Sequence, residues 1–196
     1  LTSAMVNDIA DETYTGSAIT PELSFTDEGS RKIEVDDYTV IYSDNTNVGM
    51  ASVKITGRRN YTGEVEVSFN IIKADYDMSR VKWNYTSAFT YDKTEKSVSV
   101  IGLPVGVTVK EIVDGKKIHA GNYTAKVTFN YDTYNYNEPR IANCEWKINK
   151  KPLEVTADAK TQEFGKAALP LTYRAPALCK GDSLSGSLIR EAGSNV

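Results

Sequence analysis

Apolar and polar side chains alternate with a period of two along much of this chain, the pattern of strands that cover one face and leave the other wet. The clearest runs lie at 38–42, 48–57, 65–71, 107–113, 120–129 and 144–149, with further strands expected at 22–26, 31–35 and 96–101. Polar or glycine-bearing stretches separate them, among them the polar turn Ser43-Asp44-Asn45-Thr46-Asn47, the loop Arg58-Arg59-Asn60-Tyr61-Thr62-Gly63 and the tight-turn sequence Asp114-Gly115-Lys116-Lys117. Residues 1–11 read as a leader in which Val6 and Ile9 belong to a first strand. No stretch carries three turns of amphipathic helix, and only a short helical turn near residues 75–78 competes with the strand reading. Short strands punctuated by turn signals predict an all-β chain of small sandwich-like units.

The pattern also repeats. Tyr14-Thr15-Gly16 opens one segment and Phe69-x-Ile71 closes it; Tyr91-Asp92-Lys93 opens a second and Trp146-x-Ile148 closes it. Both the opening and the closing residues stand 77 positions apart. Phe164-Gly165-Lys166 opens a third copy, 73 residues after Tyr91. A fixed period of this size indicates an array of similar modules rather than one large enzyme fold. The boundaries read from the repeat are 1–73, 74–150 and 151–196, the last being the N-terminal part of a third module. The connections at 71–75 and 148–153 contain no Gly/Ser spacer, so a semi-rigid, elongated tandem is expected. The third copy runs only as far as Asn195-Val196, where a further Gly-opened strand belongs, so residues 152–196 are expected to be mobile or completed by another chain.

Composition narrows the function classes. With 23 basic and 26 acidic side chains and a net charge of −3, the chain offers no basic surface for nucleic acid. No run of 18 apolar residues is present, so this segment is not expected to insert into a membrane. Neither a secretory leader nor a lipidation motif is read in it; flanking sequence would carry such parts. The two cysteines, Cys144 and Cys179, are expected as separate thiols, Cys144 on an inward strand face and Cys179 in a turn.

Candidate chemistry is sparse. His119 is the only histidine, which removes His-based triads and His-rich zinc sites; it reads as a surface or turn residue. Asp36-Asp37 and Asp75/Asp77 lack the ligand spacing and turn glycine of a calcium loop. Carboxylates are many but interleaved with lysines, and glycines are scattered through turns rather than gathered in a phosphate loop. No catalytic residue, metal ligand or cofactor site is therefore assigned, and the chain is not expected to be an enzyme. One loop stands out: Tyr131, Tyr134 and Tyr136 with Asn135 form an aromatic, amide-rich stretch of the kind that contacts sugars or anchors an interface. Because Asn60-Tyr61 places the same pair in the first module, packing at a module end is the simpler reading of that loop.

These motifs resemble the tandem β modules of bacterial cell-surface proteins, the MBG-type and bacterial Ig-like repeats. The resemblance rests on Tyr14-Thr15-Gly16, Asp37-Tyr38-Thr39-Val40-Ile41-Tyr42, Val48-Gly49-Met50-Ala51-Ser52-Val53-Lys54-Ile55-Thr56-Gly57 and Asn60-Tyr61-Thr62-Gly63 in module one. In module two it rests on Gly102-Leu103-Pro104, Ala120-Gly121-Asn122-Tyr123 and Tyr134-Asn135-Tyr136. In the third segment it rests on Phe164-Gly165, Leu171-Thr172-Tyr173 and Gly181-Asp182-x-Leu184-Ser185-Gly186. Arg58-Arg59 departs from the glycine-bearing pair usual at that point. The resemblance implies a secreted protein of the bacterial surface, in which such modules, Ig-like or β-grasp-like, serve as stalks or adhesin parts. It leaves three roles open: a structural spacer, a module that binds a host glycan or protein through the Tyr/Asn loop, or an accessory region of a larger secreted enzyme. A homodimer formed through the incomplete third module is a further expectation.

Overall fold

The computed structural model describes residues 6–25, 33–163 and 165–190. It is all-β: among the described residues there is no α-helix, and the one helical element is a 3-10 turn at Val35–Asp37. The strands are β1 (Glu12–Thr13), β2 (Tyr38–Ser43), β3 (Gly49–Gly57), β4 (Glu64–Ile72), β5 (Lys82–Trp83), β6 (Phe89–Thr90) and β7 (Lys96–Ser97). They continue with β8 (Val100–Ile101), β9 (Thr108–Val113), β10 (Lys116–Lys117), β11 (Gly121–Asn130), β12 (Cys144–Asn149), β13 (Thr156–Ala157) and β14 (Tyr173–Arg174). The chain forms two compact units, one of Leu1–Lys82, Val100–Glu111 and Val127–Ala142, the other of Trp83–Ser99, Ile112–Lys126 and Asn143–Val196.

In the first unit a four-stranded sheet has the order β1-β4-β3-β2. The two central strands pair antiparallel with Ala51 opposite Phe69, Val53 opposite Val67 and Ile55 opposite Val65. Side chains opposite one another share a face, so these apolar positions gather on one side of the sheet. Ala51, Val53 and Ile55 are fully buried there, and Phe69 and Ile71 nearly so. Phe25 and Ile33 close the core over them. Each large apolar side chain buried in this way contributes about 1.5–3 kcal/mol. β2 presents Tyr38, Val40 and Tyr42 inward and leaves Ile41 exposed, as alternation requires. The Tyr42 hydroxyl donates to the Pro21 carbonyl at 2.6 Å, which satisfies its polar end where the ring is covered.

A second four-stranded sheet reuses this plan, in the order β6-β12-β11-β9. Strand β12 places Cys144, Trp146 and Ile148 inward, where they pack with Ala125 and Val98. The opening strand joins the closing strand in parallel in both sheets: Glu12 pairs with Ile71 in one and Phe89 with Ile148 in the other. The backbone N–H of Tyr14 donates to Ile72 and that of Tyr91 to Asn149, each at 2.9 Å. The 77-residue sequence period is thus a period in hydrogen bonding.

The indole N–H of Trp146 would be orphaned in an apolar core. It donates to the Asp114 carbonyl at 3.1 Å, and Asp114 offers that carbonyl from a left-handed turn (φ 55°). A short ladder pairs β10 with β7 beside that turn, so the stretch read as a tight turn is the turn together with the strand that leaves it.

Three expectations are corrected, and one competing alternative falls away. The 31–35 strand does not form where it is described: Val35 begins the 3-10 turn and is exposed, while Ile33 is buried; Arg31 and Lys32 lie outside the described residues. The 22–26 strand reduces to one bridge between Phe25 and Val6, Thr26 lying outside the described residues. The 96–101 run splits into β7 and β8, two residues each. Residues 75–78 form no helical turn.

In the third segment β13 and β14 pair antiparallel, Ala157 opposite Tyr173. Asp158 fixes this pair, accepting from the Thr172 hydroxyl at 2.6 Å and from Arg174 Nε at 3.0 Å. No described residue of 151–190 is buried. The opening Phe164, and Glu191 to Val196, lie outside the described residues.

Candidate functional site

The tyrosine loop belongs to the first unit, and its four residues have different fates. Asn135 is buried, 7% exposed. Its side-chain oxygen accepts from the Val48 N–H at 3.0 Å, and its amide donates to Asp132 at 2.9 Å and Asn47 at 3.3 Å. The backbone carries it further: Ala74 N–H donates to the Asn135 carbonyl at 3.1 Å, and Asn137 N–H donates to the Ala74 carbonyl at 2.9 Å. Tyr136 lies in an aromatic stack, 4.0 Å from Tyr76 with ring planes 16° apart, and meets Tyr14 edge-on at 5.3 Å. Tyr131 also meets Tyr76 edge-on, at 6.4 Å. Tyr134 alone of the four is exposed, at 61%.

Asp132 organises the loop. Its carboxylate accepts from the Asn135 side chain and from the backbone N–H groups of Tyr134 (2.9 Å) and Asn135 (3.2 Å). These hydrogen bonds, the side-chain amide's first, hold its carboxyl below the usual carboxylate range. The Asn135-Tyr136 pair is therefore held both by Asp132 of its own loop and by Asn47, Val48, Tyr14 and Tyr76 from distant segments, whereas Asn60 is exposed.

Beside Tyr134 lies a polar hollow of about 540 Å³, walled by Asp44, Asn45, Thr46, Asn47, Val48, Gly49, Met50 and Tyr134. The β2–β3 connection that makes it is pinned at several points. Ile19 N–H donates to the Asn45 carbonyl at 2.7 Å, and Asn45 Nδ2 returns a bond to the Ile19 carbonyl at 2.8 Å. Asp44 adopts a left-handed conformation (φ 55°), which Asp tolerates better than most residues. The sequence shows 43–47 as a polar turn; what it does not show is Tyr134, some ninety residues on, as the opposite wall.

The second unit holds a more apolar hollow of about 380 Å³, lined by Tyr91, His119, Pro152, Leu153, Pro176, Leu178, Cys179, Asp182 and Leu184 among others. Asp182 accepts from Lys93 Nζ at 2.7 Å and lies 3.5 Å from the Tyr91 hydroxyl. The lysine holds the Asp182 carboxyl low; burial first, and then Asp182, push the Tyr91 phenol up. Lys151 Nζ donates to the Ala177 carbonyl at 3.0 Å and lies 3.9 Å from Cys179 Sγ. Cys144 and Cys179 are both free thiols, and burial raises the Cys144 thiol. His119 is exposed, and its carbonyl accepts from the Tyr123 hydroxyl at 2.7 Å. Among the described residues no three His, Cys, Asp or Glu side chains converge as a metal site, and no helix is long and apolar enough to cross a membrane.

The fold is β-rich throughout the described residues. Residues 153–196 match the family model of the MBG domain, YGX type, which supports reading this segment as similar to an MBG-type repeat. The match covers less than a quarter of the chain. No curated protein and no solved structure matches the chain.

Proposed function

We propose that this chain is a non-catalytic spacer region of a secreted bacterial cell-surface protein of adhesin type, built from tandem modules at 1–73, 74–150 and 151–196. The observation that carries this reading is the repeated closure of the sheets. Parallel pairing of the opening strand with the closing strand recurs at Glu12/Ile71 and Phe89/Ile148, and a third segment matches a repeat family. A unit that closes on itself in this way can be added again and again, extending a rod without altering its neighbours' cores. The tyrosine loop supports the same reading, because Asn135 and Tyr136 are engaged in packing and Asp132 in holding their backbone. The surface charge, −3 overall with both signs interspersed, suits a solvated stalk.

Light scattering combined with small-angle scattering tests the proposal. The expected result is an elongated monomer. A compact particle, or a dimer that dissociates once residues 152–196 are deleted, would count against the spacer and would make association through the third segment the property to explain. Protease shaving of intact cells of the encoding bacterium checks the location, with release of peptides from this chain expected.

A further inference from the structure

We infer that the hollow between the β2–β3 connection and Tyr134 is a binding site for a neutral saccharide. Tyr134 offers an exposed ring, and Met50, 71% exposed, adds a second apolar wall. The hollow is also lined by Asp44, Asn45, Thr46 and Asn47, a continuous run of residues with hydroxyl, amide and carboxylate groups, of which Asn45 Nδ2 and Asn47 Oδ1 are already engaged by Ile19 and Asn135. A pyranose ring has this same division. One face presents C–H groups that lie well on an aromatic ring, while its rim carries hydroxyls that both donate and accept.

The volume, about 540 Å³, is in the range of small-ligand sites and accommodates one or two sugar rings. The walls are also held before any ligand arrives. Tyr134 N–H is tied to Asp132 at 2.9 Å, and Asn45 and Asn47 are anchored by Ile19 and Asn135. A site whose backbone is already ordered loses less entropy on binding. The carboxylate of Asp44 favours an uncharged ligand over an anionic one. This site differs from the aromatic stack of Tyr14, Tyr76 and Tyr136, which is engaged in packing.

The test is a titration of the ¹⁵N-labelled chain with lactose, maltose and diacetylchitobiose in turn, with sodium glucuronate as the anionic control. At least one neutral sugar is expected to shift the amides of residues 44–50 and 134, with a dissociation constant on the order of 1 mM. Tyr134→Phe should bind as the parent does, and Tyr134→Ala about tenfold more weakly, the loss of one stacking surface. Thr46→Arg, at an exposed position, fills the hollow and should abolish the shifts, which keeps the test decisive if Tyr134→Ala disturbs the loop. The proposal fails if none of the neutral sugars moves these amides, if the shifts fall elsewhere, if glucuronate binds equally well, or if Tyr134→Ala and Thr46→Arg leave binding unchanged.

Discussion

The β1-β4-β3-β2 sheet and the β6-β12-β11-β9 sheet share a plan and differ in how they fill it. At the equivalent place in the closing strand, 77 residues apart, the first has Phe69 and the second Trp146. Phe69 needs only apolar neighbours and finds them in a core with Phe25, Ala51, Val53, Ile55 and Ile71. Trp146 brings a donor with it. Its sheet answers with the Asp114 carbonyl and surrounds the indole with rings, Tyr123 at 5.1 Å and Phe89 at 6.0 Å. The comparison teaches that backbone pairing is the repeated quantity, and that each copy settles the polar consequences of its own core residue locally.

Removing the residue at this place should have the largest effect. Phe69→Ala and Trp146→Ala are each expected to cost about 3–5 kcal/mol, read from urea unfolding of the whole chain. If either cost less than about 1 kcal/mol, the two positions would not be equivalent core anchors. Exchanging the residues is the sharper test. Phe69→Trp brings an indole N–H into a core already filled by Phe25, Val53, Ile55 and Ile71 and overpacks it, at about 1–3 kcal/mol. Trp146→Phe leaves the Asp114 carbonyl without its donor and opens a small void, at about 1–2 kcal/mol. Equal tolerance of both exchanges would mean that the Asp114 contact does not matter.

The two Asn-Tyr pairs allow a similar comparison. Asn135→Ala removes the acceptor of the Val48 N–H inside the first unit and is expected to cost about 1–3 kcal/mol. Asn60→Ala, at an exposed position, should stay within about 0.5 kcal/mol. Thermal unfolding of the two variants side by side decides it, and equal losses would deny the buried asparagine its special role.

The smallest expected effect is one of pH. The Asp132 carboxyl lies below its ordinary value in the folded chain, so its hydrogen bonds to Asn135 and Tyr134 stabilise the fold at pH above the carboxylate range. That contribution is lost as pH falls below about 4, where the unfolded chain begins to bind the proton the folded one resists. Asp132→Asn should flatten this part of the acid limb of the stability curve without altering stability's response near neutrality. An unchanged acid limb would show that the carboxylate is not the loop's organiser.

Sequence alone determined the strands and the period. Alternation located β2, β3, β4, β9, β11 and β12 to within a residue or so, because long strands with one buried face must alternate. The repeat of Tyr14/Tyr91 and Phe69/Trp146 anticipated equivalent places in two sheets for the same reason: like patterns bury like faces. Short elements were beyond its reach. The two-residue strands β1, β6 and β10 exist through their partners and carry almost no pattern of their own, and the 96–101 run divides because its ends follow different neighbours. Tertiary structure alone decided the fate of the tyrosine loop. Three tyrosines and an asparagine of one loop became two packed rings, one exposed ring and a buried amide, according to which neighbours reached them. It alone also set Tyr134 against Asp44–Asn47, because the wall of a hollow is a relation between distant segments, and no local pattern encodes which of them will meet.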